Sequence, residues 1–189
     1  MLKKRALLLL SVCVLILGSA LGGTVAWLSG ETFPVTNVFS TAGLSITLSE
    51  TDTGDPDPDP TTNTYPLAPG ALIRKDPVVG VHAGSEEAWV FVVLQKSENF
   101  DRFMQYEIAD GWNELADAPG TYYRAVPGKD VDQLFSVLKD DAVSVLPSVT
   151  SGMLRRLTPE NFPTLTISAY AIQQEGIALP STAWTLLSE

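Results

Sequence analysis

The sequence has almost no cysteine and almost no histidine. Its one cysteine is Cys13, in an apolar run near the N-terminus, and its one histidine is His82. A disulfide framework is excluded, because the sequence offers no second thiol. The H-E-x-x-H zinc helix and other multi-histidine zinc sites are excluded as well. A stable fold must therefore come from an apolar core.

Positive charge is also scarce, with 12 Lys and Arg residues against 22 Asp and Glu residues and a net charge of −10. Lys3, Lys4 and Arg5 fall in an N-terminal segment that we expect to be removed. The remaining chain would carry 9 basic and 22 acidic residues, a net charge of −13. This balance argues against binding to nucleic acid or to an anionic surface, because both need clustered Lys and Arg.

Several catalytic motifs are missing. The sequence has no G-x-S-x-G elbow, no phosphate-binding glycine loop and no cofactor fingerprint. A Ser-His-Asp triad would have to use His82, and the segment His82–Glu87 offers a metal only one imidazole. The sequence therefore predicts no enzyme, no cofactor and no metal site.

The first 26 residues are typical of a secretion signal. A basic start, Met1–Arg5, precedes an apolar run over Ala6–Leu21, and Gly22–Ala26 ends in a small residue with Thr at the −3 position. We expect a signal peptide helix over 1–26 and signal peptidase cleavage between Ala26 and Trp27. The protein would then be secreted, extracellular or held at the cell surface, and would meet the membrane only through the signal.

Two alternatives to a cleaved signal peptide exist for this segment. The stretch Ala6–Trp27 is long enough to cross a bilayer, so an uncleaved anchor is the alternative to cleavage. A lipoprotein signal is disfavoured, because Cys13 follows Val12 rather than a small residue and apolar residues continue after it.

Residues 27–189 are predicted to form one domain made of short strands. Phe33–Leu48 is predicted as a strand, in which Leu44, Ile46 and Leu48 alternate with polar residues and Gly43 marks a bulge or bend. Ala88–Leu94 is apolar on both faces, which predicts a central strand buried on both sides.

Further short elements complete this prediction. Ala71–Val81 is expected to be a strand pair or a broken strand, with Pro77 marking an edge or bulge. The further strands expected are Thr121–Val126, Leu134–Leu138, Ala142–Leu146 and Leu165–Gln173. A short helix is expected over Asn99–Tyr106, with Asn99 as its cap. Many short strands joined by Gly and Pro turns predict an all-β, jelly-roll-like β-sandwich with short helical insertions.

The segment 51–64 (TDTGDPDPDPTTNT) is predicted to be an exposed loop, because its three Asp-Pro pairs cannot donate to a strand ladder. Its aspartates raise the possibility of a calcium site. Counted from Asp55, however, the sixth and twelfth positions are Pro60 and Pro66, where an EF-hand needs Gly and Glu. A solvated loop is the expectation, and a weak cation site is the alternative.

Two tryptophans allow opposite interpretations. Trp89 and Trp112 are predicted to pack in the core and against a turn. The alternative is an exposed aromatic platform for carbohydrate.

Several motifs together resemble the TasA/camelysin family, whose members are exported by Gram-positive bacteria through a SipW-type signal peptidase. They are Gly22–Ser29 (GGTVAWLS), Val35–Leu48, Tyr65–Gly70, Lys75–Pro77, Ala88–Val93, Ala169–Gln173 and the pair Ala183-Trp184. The resemblance covers most of the chain. It implies an exported jelly-roll domain that assembles into extracellular fibres of the biofilm matrix. Some members of the family are classified as metallopeptidases, but this sequence has no ligand set for that activity.

The sequence therefore leaves three hypotheses for the function. The leading expectation is a structural protein of the matrix or cell surface that associates with itself into fibres, through a new N-terminal strand that adds to the sheet edge of a neighbouring copy. The alternative is a monomeric surface module that binds glycan or protein. A secreted metallopeptidase is the least favoured.

Overall fold

The computed structural model describes residues 40–41, 43–51, 65 and 67–188. The predicted signal over 1–26, the expected cut between Ala26 and Trp27, and residues 52–64 of the acidic loop lie outside the described residues. Among the described residues, no helix has the length and apolar character needed to cross a membrane.

The described chain is mostly antiparallel β-strand, which confirms the all-β prediction. The strands are β1 (Ser40–Thr41), β2 (Leu44–Ser49), β3 (Leu72–Arg74), β4 (Val78–Val81), β5 (Ala88–Lys96), β6 (Met104–Ile108), β7 (Asn113–Glu114), β8 (Thr121–Val126), β9 (Gln133–Ser136), β10 (Leu138–Val145) and β11 (Leu165–Gln173). The helices are α1 (Phe100–Phe103), α2 (Ser151–Leu154) and α3 (Pro180–Ser188), with a 3₁₀ turn at Pro159–Asn161.

The strands form three sheets, in the orders β1-β2-β4-β9, β3-β10-β6 and β11-β5-β8-β7. The first two sheets continue into each other through backbone hydrogen bonds. The N–H of Lys75 donates to the carbonyl of Asp141 at 2.8 Å, and the N–H of Val137 donates to that of Pro77 at 2.9 Å. Ala71–Val81 is therefore a broken strand, as predicted, because Pro77 has no N–H for the ladder.

β5 is the central strand of the third sheet and is buried on both faces, which confirms the prediction for Ala88–Leu94. It pairs with β11 on one side and with β8 on the other. Val90 and Val92, both 0% exposed, belong to a large core shared by all three sheets. Trp89 and Phe91 belong to a second cluster on the opposite face. The alternation follows from the strand period of two residues.

The prediction of one strand over Phe33–Leu48 is wrong for its described part, which is a hairpin. β1 and β2 pair antiparallel, with Thr41 opposite Leu44, and Gly43 lies between them at φ +94°. That left-handed conformation is open to glycine at little cost, so the chain turns there. Of the bulge or bend expected at Gly43, the structure has the bend, and it is sharp enough to reverse the chain. The predicted inward face is confirmed, because Leu44, Ile46 and Leu48 are at most 4% exposed.

Two helical features differ from the prediction. The helix expected over Asn99–Tyr106 ends at Phe103, because Met104–Ile108 pairs with β10 as strand β6. Asn99 occupies the cap position without capping the helix, since its Nδ2 donates to the carbonyl of Asn161 instead. The helix α3 was not predicted individually. Its Ala183 is fully buried in the cluster with Trp89 and Phe91.

Candidate functional site

The break between β3 and β4 carries charged side chains in a buried position. Lys75 is 3% exposed and Asp76 is 9% exposed. Charged residues at such positions are costly unless they are paired and hydrogen-bonded. Both charges have such partners.

Lys75 pairs with a glutamate from the end of β2. Its Nζ lies 2.8 Å from a carboxylate oxygen of Glu50, and the two side chains are 4% and 3% exposed. The hydroxyl of Tyr65 donates to the other oxygen of Glu50. The Lys75 Nζ also lies 5.9 Å from the centre of the Tyr65 ring. Both carboxylate oxygens of Glu50 are thus held by donors.

Asp76 is held in the same way. It accepts hydrogen bonds from the backbone N–H of Thr51 at 3.0 Å and from the Thr51 hydroxyl at 2.7 Å. The guanidinium of Arg74 lies 3.1 Å from it. Burial raises the pKa of Asp76, but the hydrogen bonds from Thr51 and the charge of Arg74 outweigh it, so the pKa lies below its ordinary value of 3.8.

The loop clamp, as we name Glu50, Thr51, Tyr65, Lys75 and Asp76, fastens both ends of the acidic segment 52–64 to the sheet. Thr51 precedes that segment and Tyr65 follows it. Because the carboxylates of Glu50 and Asp76 are occupied by donors from the chain, the clamp holds the loop ends and offers no free base. Sequence reasoning missed this clamp, although charged Lys75 and Asp76 beside Pro77 in an apolar stretch were its signal.

The lone histidine lies apart from the clamp at the surface. His82 Nδ1 is 3.7 Å from Asp132 Oδ1, and the two side chains are 45% and 63% exposed. Asp132 also accepts a hydrogen bond from the backbone N–H of Ala83. Over the part of the chain that the structure describes, no group of three or more His, Cys, Asp or Glu residues is arranged to hold a metal ion.

The two tryptophans weighed as a carbohydrate platform are both buried. Trp89 and Trp112 are each 8% exposed. Their indole N–H groups donate to the backbone carbonyls of Ile177 at 2.8 Å and of Ser136 at 2.9 Å. The prediction that they pack in the core is confirmed, and a carbohydrate platform built on these two rings is wrong.

A tyrosine on β6 has a strongly perturbed hydroxyl. Burial of Tyr106, with smaller contributions from nearby Tyr122, Asp101 and Glu114, raises its pKa to about 12. Its ring packs against Phe100 with the ring centres 5.9 Å apart. A phenol that stays protonated in this way fits a packing role.

The first described strand lies at a sheet edge. Within the described ranges, β1 (Ser40–Thr41) pairs with β2 and is the outer member of its sheet. The sequence before it, 33–39 (FPVTNVF), is rich in β-branched and aromatic residues. This β-prone sequence therefore leads directly into a strand at the edge of the described sheet.

Comparison with known proteins adds no relative. No family model matches the chain, and no significant match is found among curated proteins or solved structures.

Proposed function

We propose that this chain is an exported structural protein of the extracellular matrix or cell surface, without enzymatic activity, that associates with itself into fibres. The observation that carries the proposal is the edge position of β1, whose two residues continue directly from the β-prone stretch 33–39. The signal-like segment 1–26 and the motifs shared with the TasA/camelysin family support the same reading.

In this proposal the three described sheets form a jelly-roll-type sandwich. Cleavage between Ala26 and Trp27 leaves a free N-terminus six residues ahead of the β-prone stretch 33–39. That segment adds as a strand to the sheet edge of the next copy, where backbone hydrogen bonds supply affinity. Such a head-to-tail contact does not close on itself, so repetition builds a filament.

Electron microscopy of the purified chain that begins at Trp27 tests assembly. We expect filaments, and we expect deletion of residues 27–40 to abolish them while leaving a soluble domain with an unchanged far-ultraviolet circular dichroism spectrum. Deletion of residues 53–63 from the acidic loop is the control for a shortened chain and should leave this strand contact intact. Filaments that persist without residues 27–40 would refute the route.

N-terminal sequencing tests export separately. Protein recovered from the medium or the surface of a Gram-positive host should begin at Trp27. A chain that still begins with the basic residues Lys3–Arg5 would support the uncleaved anchor instead.

A further inference from the structure

Some of the few basic residues meet in one groove. Arg102 of α1 and Arg156, just after α2, line a cavity of about 200 Å³ whose apolar walls come from Phe103, Met153 and Leu157. An adjoining cavity of about 490 Å³ shares Arg102 with the first. We call the two together the arginine groove.

The charge in the groove is uneven along its length. The second cavity is lined by Glu98 and Glu160 as well as by Arg102. The first cavity is lined by Arg102 and Arg156 and by no carboxylate. An acidic group of a ligand would therefore be favoured at the first cavity.

The two arginines have no acidic partner among the described residues. Four of the other basic side chains do form ion pairs with a carboxylate; they are Arg74, Lys75, Lys96 and Lys139. Arg102 and Arg156 are exposed, and the guanidinium carbon of Arg102 lies 5.9 Å from the ring centre of neighbouring Phe103. In a chain with a net charge of −10, two exposed and unpaired arginines beside an apolar wall indicate a surface for an acidic partner.

The chain itself contains a segment of matching chemistry. Residues 55–60 read Asp-Pro-Asp-Pro-Asp-Pro. Proline disfavours the helical conformation in the residue before it and favours an extended polyproline chain, in which successive aspartates of this segment would be about 6 Å apart along the chain axis. Proline rings pack on apolar and aromatic walls, and carboxylates pair with guanidinium groups. Because proline fixes φ, a segment with proline at every second position has less conformational freedom to lose on docking.

We propose that the arginine groove binds the Asp-Pro segment 55–60 of a second copy of this chain. In its own copy the segment is tied at both ends to the loop clamp, through Thr51 to Asp76 and through Tyr65 to Glu50. The contact joins two different surfaces and so propagates from copy to copy. It goes beyond the proposed fibre contact, since it uses none of residues 27–40.

A synthetic peptide covering residues 51–65 tests the groove directly. Binding of the labelled peptide to the chain that begins at Trp27 is measured by fluorescence anisotropy. We expect Arg102→Glu and Arg156→Glu each to weaken binding about tenfold, and a rise from about 0.05 M to about 0.5 M salt to weaken it similarly. Arg155→Glu is the matched control, because Arg155 is also exposed but does not line the groove; it should change binding less than about twofold.

The peptide has its own control. Replacing its three aspartates, Asp55, Asp57 and Asp59, with asparagine keeps the prolines and removes the charge, and this peptide should not bind measurably. Equal binding of both peptides, or equal losses for Arg155→Glu and Arg102→Glu, would overturn the proposal. Unchanged urea midpoints of the variants would show that a loss of binding does not come from unfolding.

A charge exchange tests whether the partner is a second copy. One chain carries Arg102→Asp and Arg156→Asp, and the other carries Asp55→Arg and Asp57→Arg. All of these chains also lack residues 27–40, so that the proposed fibre contact is absent. Sedimentation velocity should find each variant less associated than the chain with the unsubstituted groove, and association should return for the chain that combines all four changes. If the combined chain stays monomeric while the peptide still binds the unsubstituted groove, the segment docks within its own copy and the proposal fails. Peptide binding that survives deletion of residues 27–40 separates this contact from the fibre contact.

Discussion

Replacing Lys75 with methionine should destabilise the fold by about 3–5 kcal/mol. Methionine has a similar length and fills the same space, so the change removes the charge and leaves little cavity. Glu50 would keep its buried carboxylate, 3% exposed, but lose the ammonium group at 2.8 Å. Only the hydroxyl of Tyr65 would still donate to it among the hydrogen bonds of the clamp described above. A buried charge left without its counter-charge accounts for the magnitude.

Urea unfolding followed by tryptophan fluorescence measures this loss, and a second change tests its cause. Glu50→Gln removes the charge on the other side of the pair. If the cost of Lys75→Met comes from a stranded carboxylate, adding Glu50→Gln should recover about 2 kcal/mol or more, so the two changes will not be additive. A loss below about 1 kcal/mol for Lys75→Met, or strict additivity of the two changes, would refute the reasoning.

Three further predictions concern single residues. Because the pKa of Asp76 lies below 3.8 in the folded state, its carboxylate stabilises the fold above that pH; the stability difference between the parent and Asp76→Asn should shrink as pH falls below about 3.8. The phenol of Tyr106, with its pKa raised to about 12, should ionise near pH 12 in ultraviolet titration, and this phase should vanish in Tyr106→Phe; its contribution to stability is full below pH 10 and is lost between pH 10 and 12. Gly120→Ala should cost about 2 kcal/mol or more in urea unfolding, since Gly120 has φ +80° and its added Cβ would lie 3.0 Å from the carbonyl oxygen of Leu94. Gly70→Ala, at φ +72° with open space around it, should cost only about 1 kcal/mol, and equal losses would contradict the contact argument.

Regular strands were the most predictable part of the fold. Thr121–Val126 and Leu165–Gln173 have the predicted bounds, and β5 is buried on both faces as its unbroken apolar run indicated. Such segments can be predicted because strand side chains alternate with a period of two, so the apolar and polar pattern of the segment itself indicates which side chains are buried.

Elements whose secondary structure depends on a partner distant in the chain were harder to predict from the sequence. Met104 and Tyr106 follow a helical turn with an apolar pattern that also suits a helix, and only pairing with β10 makes them strand. The short helix α3 is held by Ala183 against Trp89 and Phe91, more than 90 residues earlier in the chain. Local propensity cannot report such contacts, because tertiary packing overrides it.

The same division applies to the functional surfaces. The amino-acid sequence alone determined the scarcity of cysteine, histidine and positive charge, the acidic proline-spaced segment and the strand periodicities, because these are properties of composition and near neighbours. Only the tertiary structure decided that Glu50 meets Lys75, that both ends of the acidic loop are fastened, and that Arg102 and Arg156 line one groove. Glu50 and Lys75 are 25 positions apart, and Arg102 and Arg156 are 54 positions apart, so their approach depends on how the chain folds. For Glu50 and Lys75, folding also removes the water that would otherwise screen the two charges, whereas Arg102 and Arg156 are brought to one groove but stay exposed.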